Sequence, residues 1–105
     1  MVKVKLKIPR SEISSFCERW NIAEFSIFGS AVGTDFRPDS DVDVLVAFNP
    51  NSRISLFEMA QMQDELEVIF GRKVDLISKK GLGNSRNYLR RKAILESAQV
   101  IHEAG

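Results

Sequence analysis

Residues 41–48 run Asp41-Val42-Asp43-Val44-Leu45-Val46-Ala47-Phe48. Successive side chains in a strand alternate sides, so this stretch predicts a strand with Val42, Val44 and Val46 on one buried face. The same alternation puts Asp41 and Asp43 together on the other face, about 6.6–6.8 Å apart. Two unpaired carboxylates so placed repel, and burial raises a carboxyl pKa, so a positive ion is expected between them. Hard carboxylate oxygens suit Mg²⁺, which keeps waters and shares its remaining positions with phosphates. Two such ions about 3.5–4 Å apart can be bridged by a carboxylate pair.

Working upstream, Glu24-Phe25-Ser26-Ile27-Phe28 predicts a short strand that breaks at Gly29-Ser30. Glycine lets a phosphate approach the backbone, and the Ser30 hydroxyl with neighbouring N–H groups supplies uncharged donors. Residues 31–40 are polar and end in Arg37-Pro38-Asp39-Ser40, a turn composition. Farther back, Ser11 and Glu12 open a helix in which Ile13, Phe16, Cys17 and Trp20 share one stripe. Cys17 therefore reads as a small buried hydrophobe, and Trp20 and Phe25 as core. The opening Val2–Ile8 alternates apolar and basic residues and predicts an edge strand that Pro9 ends.

Downstream, Asn49-Pro50-Asn51-Ser52 is a turn, and Ser55 caps a long helix that Gly71 closes. Leu56, Met59, Met62, Leu66, Ile69 and Phe70 keep helical spacing, the methionines as core filler. Lys73–Ser78 predicts a third strand with Asp75 between apolar neighbours. Asp75 faces solvent, or, if its strand adjoins 41–48, joins the acidic pair as a third ligand or a proton acceptor. Lys80–Asn84 reads as a loop, Ser85–Ser97 as a basic helix, and Ala98–His102 as a short apolar tail with a structural His102. Strands separated by helices give an α/β (α+β) domain with a small mixed sheet, one domain over residues 1–105.

Composition agrees with a single folded unit: 105 residues, 44% hydrophobic and 28% charged, are globular rather than disordered. The longest apolar run is five residues, Val44–Phe48, far short of the roughly 20 that cross a membrane. No apolar segment follows the N-terminal lysines as a secretory signal would, and a lone cysteine forms no internal disulfide. The chain reads as cytoplasmic. The net charge of +1 hides an acidic centre between basic ends, with nine acids against Arg37 and Arg53 in residues 21–71. Such a pattern is either a solvated surface or a cation site flanked by phosphate-attracting groups.

Gly29-Ser30, ten residues, then Asp41-Val42-Asp43 resembles the signature of the minimal nucleotidyltransferases of the DNA polymerase β superfamily. The likeness continues through Val44-Leu45-Val46 and Gly71-Arg72-Lys73-Val74-Asp75-Leu76-Ile77 into the closing helix. It implies a polymerase-palm-like fold and Mg²⁺-dependent transfer of a nucleoside monophosphate from a triphosphate, with pyrophosphate released. By position, Asp41, Asp43 and Asp75 look like catalytic metal ligands for two ions, and Gly29, Ser30, Ser40 and Arg37 like nucleotide contacts. Many relatives carry an arginine where this chain has Ala31-Val32-Gly33-Thr34.

Small members of the group resemble antitoxins of HEPN-type toxins, which implies ATP as donor and a toxin tyrosine as acceptor. A binding module that neutralises its partner sterically, or transfer to a small molecule, are the alternatives. The basic helix with Arg86, Arg90, Arg91 and Lys92 is a solvated face, or it meets nucleotide phosphates or an acidic partner. It lacks aromatic platforms, so direct nucleic-acid binding is not expected. An exposed edge strand leaves a homo-oligomer open.

Overall fold

A computed structural model describes residues 8–29, 41–84 and 86–103. The expected strand over residues 2–8 lies outside these but for Ile8, as does the expected turn over 31–40. The elements run α1 (Arg10–Arg19), β1 (Ile22–Phe28), β2 (Val42–Phe48), α2 (Leu56–Phe70), β3 (Val74–Ser78), α3 (Lys79–Gly83), α4 (Tyr88–Ser97) and β4 (Gln99–Glu103).

The strands form one mixed sheet in the order β3-β2-β1-β4. β1 is antiparallel to both β2 and β4, whereas β2 and β3 are parallel. A parallel pair needs a crossover, and α2 supplies it. The helix is well delimited. Ser55 Oγ accepts from the Glu58 N–H (3.1 Å) while the Glu58 carboxylate accepts from the Ser55 N–H (3.3 Å). Gly71, left-handed at φ 67°, donates its N–H to the Glu67 carbonyl and ends it.

The valines decide which face is core. Val42, Val44 and Val46 are fully buried, beneath Phe16 and Cys17 of α1 and Met62 and Leu66 of α2. Phe16 meets Phe25 of β1 edge to face, with centroids 6.3 Å apart. Burial pushes the Cys17 thiol up to about 11, as befits a packing residue rather than a nucleophile. The opposite face carries a smaller cluster of Phe28, Leu45, Leu82 and Ile94, closed by α3 and α4.

Four local expectations are corrected. Lys79–Gly83 is a short helix rather than loop, started by Ser78, whose Oγ accepts from the Gly81 N–H (3.0 Å). The basic helix begins at Tyr88 instead of Ser85, because Asn87 Oδ1 accepts from the Arg90 N–H (3.0 Å) and sets the cap there. The expected tail over 98–102 is strand β4, made by its ladder to β1. Leu56 is 89% exposed, so the buried stripe of α2 starts one turn later, at Met59.

Candidate active site

Phe28, Asp43 and Asp75 lie side by side across three strands. Phe28 ends β1 and pairs with Asp43 near the start of β2, and Asp43 pairs in register with Asp75 near the start of β3. Aligned residues of neighbouring strands point to the same face, with backbones about 4.8 Å apart. That face is the one bearing Leu45 and Ile94, since Val42, Val44 and Val74 take the other. Asp41 immediately precedes β2 and lies near enough to act electrostatically on Asp43. One pole of the sheet thus gathers Asp43 and Asp75 from two strands that α2 separates in sequence, with Asp41 immediately before β2.

The chemistry of the set follows from this crowding. Asp43 is half-buried, Asp41 and Asp75 exposed. Burial holds the Asp43 carboxyl above its ordinary range, and the charges of Asp75 and then Asp41 push it farther, while Arg90 on α4 opposes them. Among the described residues no three His, Cys, Asp or Glu side chains close into a ready cage. The acids share a pole without being an assembled ligand set. As donors they fit a hard divalent cation: all are carboxylate oxygens, and the like charges around Asp43 are relieved by a positive ion.

Gly29 has a role here that the sequence reading did not contain. Its φ is +72°, and a Cβ added to it would stand 2.3 Å from Asp43 Oδ2. The absence of a side chain keeps room for the carboxylate, besides opening the backbone to a phosphate. The signal was present in the sequence as a glycine ending a strand, but its neighbour could be known only from the register.

Ser30, Arg37 and Ser40, expected as nucleotide contacts, lie outside the described residues. Arg86 precedes α4 and does not share a helical face with Arg90, whereas Arg90 acts electrostatically on Asp43. A groove of about 710 Å³ runs along the opposite end of β2, lined by Phe48, Pro50 and Lys79 among others, and contains none of the acids.

A family model described as the nucleotidyltransferase domain matches residues 11–101. The chain belongs to this family. Its small mixed sheet with flanking helices is the architecture of solved minimal nucleotidyltransferases. A candidate minimal nucleotidyltransferase of known structure is 31% identical, with a TM-score of 0.65 and 86% of each chain covered. The protein adenylyltransferase MntA of Thermococcus cleftensis is 38% identical over 65 residues, covering 62% of this chain and 64% of that one. The chain therefore spans a little under two thirds of that relative's length. A chain in the solved complex of a tri-AMPylated HEPN toxin from Shewanella oneidensis with MNT antitoxin shares the fold at a TM-score of 0.64. It is 13% identical, and the match covers 90% of this chain and 70% of that one. No described helix of this nucleotidyltransferase is long and apolar enough to cross a membrane.

Proposed function

We propose that this nucleotidyltransferase moves AMP from ATP to a tyrosine hydroxyl of an HEPN-type toxin and so serves as that toxin's antitoxin. The observation that carries the reading is the register of Asp43 with Asp75, which brings a third acid to the Asp41–Asp43 pair. The adenylyltransferase name of the Thermococcus relative and the AMPylated toxin in the Shewanella complex support the choice of donor and acceptor. An idle site has no reason to keep a half-buried carboxylate among like charges, which favours catalysis over steric neutralisation alone.

Asp41, Asp43 and Asp75 would hold Mg²⁺, two ions in this reading, which when bound neutralise phosphate charge and ease ionisation of the attacking hydroxyl. The backbone at Gly29-Ser30, the Ser30 and Ser40 hydroxyls and Arg37 receive the nucleotide. The tyrosine oxygen bonds to the α-phosphorus as the bond from that phosphorus to the bridging oxygen breaks. The electron pair leaves on pyrophosphate, and the hydroxyl proton passes to the Asp75 carboxylate and then to water.

Incubation with α-labelled ATP, Mg²⁺ and the product of the adjacent gene tests this. A labelled partner band that disappears with Asp43→Asn, and with Tyr→Phe at the site mapped on the partner, is the expected result. No label on any protein from wild-type chain, while a complex still forms, would leave only steric neutralisation.

A further inference from the structure

The smaller cluster holds a cation-bearing helix beside the acids. Ile94 of α4 packs with Phe28 and Leu45. Phe28 is the cross-strand partner of Asp43, and Leu45 follows Asp43 on the same face. One helical turn before Ile94 stands Arg90, exposed, with its backbone pinned to the Asn87 cap at 3.0 Å. The other cations of α4 are engaged. Arg91 donates to the Gly83 carbonyl (3.3 Å) and lies over the Tyr88 ring (5.6 Å), and Lys92 stands 4.0 Å from Glu96. The Arg90 guanidinium makes no hydrogen bond or ion pair among the described residues, yet it is close enough to act on Asp43.

We infer that Arg90 binds the outer phosphates of the nucleoside triphosphate, an assignment that rests on the transferase reading above. The α-phosphorus has to lie at the acids, because the acceptor attacks there. A cation held outside ion-pair distance of Asp43, but within its field, is placed for the phosphates beyond. A guanidinium is the side chain that grips phosphate through two parallel hydrogen bonds. Within the spacer itself Ala31-Val32-Gly33-Thr34 offers no cation and leaves Arg37 alone. As the bond between the α-phosphorus and the bridging oxygen breaks, its electron pair departs on pyrophosphate, and Arg90 meets the growing charge.

Calorimetric titration of the full chain with ATP and, separately, AMP, each with Mg²⁺, tests the assignment. Arg90→Gln should weaken ATP about tenfold or more and leave AMP unchanged, because AMP lacks the outer phosphates. Arg90→Lys should recover much of the loss, and Lys92→Gln, which removes the same charge from the same helix, should change neither affinity. Equal weakening of ATP and AMP, or an unchanged ATP affinity in Arg90→Gln, overturns the assignment, and does so without touching the transferase reading if wild-type chain still labels its partner. ATP binding that depends on Arg90 in a chain that labels no acceptor removes the transferase reading instead and keeps the phosphate contact. A wild-type chain that binds no ATP overturns both.

Discussion

Asp43 stays where its charge is least welcome. Its folded pKa lies above the ordinary 3.8, so the unfolded chain gives up that proton first as pH rises. Stability is therefore lost between 3.8 and the folded pKa, and the full penalty is present at neutral pH. Asp43→Asn should raise the melting temperature of the metal-free chain, by roughly a few degrees, while abolishing transfer. A lower melting temperature would mean that the carboxylate is stabilising. Gly29 makes the complementary case. Gly29→Ala meets both the left-handed backbone at φ +72° and the Asp43 carboxylate 2.3 Å from the new Cβ. The backbone term costs about 1–2 kcal/mol. The carboxylate can swing aside, so the larger effect falls on activity, about a hundredfold for a displacement near 1 Å. Denaturant melts and initial rates on one preparation separate the two effects.

Among the elements, α1 and α2 are tied by one carboxylate. Glu65 on α2 accepts from Trp20 Nε1 at 2.8 Å and from Arg19 Nη1 at 3.0 Å. Its partial burial would raise its pKa, but the bonds from Trp20 and Arg19 outweigh burial and hold it below the ordinary 4.5. The stability this contributes is complete above the unfolded pKa and is lost as pH falls through the folded one. Glu65→Gln should therefore destabilise the chain at pH 7 by about 1 kcal/mol, and the gap from wild type should narrow below pH 4.5. A gap independent of pH would assign the effect to packing. These elements also show what the sequence reveals and what it hides. β2 and α2 were legible because their signals are local: alternating valines in one, a Ser55–Glu58 box and Gly71 in the other. β4 was not, because Gln99–Glu103 is extended only through its ladder to β1. The influence of Arg90 on Asp43 was hidden for the same reason, since α4 is held near Asp43 by packing of Ile94 against a distant strand.

At the scale of the molecule, the sheet divides two unequal faces. Among the described residues the α1/α2 side buries twelve in its cluster, the α3/α4 side four. Sub-global opening is easiest where few apolar contacts are broken, so the amides of α4, which buries only Ile94, should exchange hydrogen well before those of β2 and α2. Protection of α4 equal to that of β2, measured by exchange and mass spectrometry, would show the faces to be one cooperative unit. The acids belong to neither helix layer. They lie on or just before β2 and β3, whose other side is anchored in the larger core.

This division sets what can be altered separately. The carboxylates ride on or just before valine-lined strands held by the larger core, whereas α4 buries only Ile94 and leaves Tyr88 and Leu89 exposed. Substituting those two outward side chains would leave the acids at β2 and β3 and Arg90 on its turn of α4.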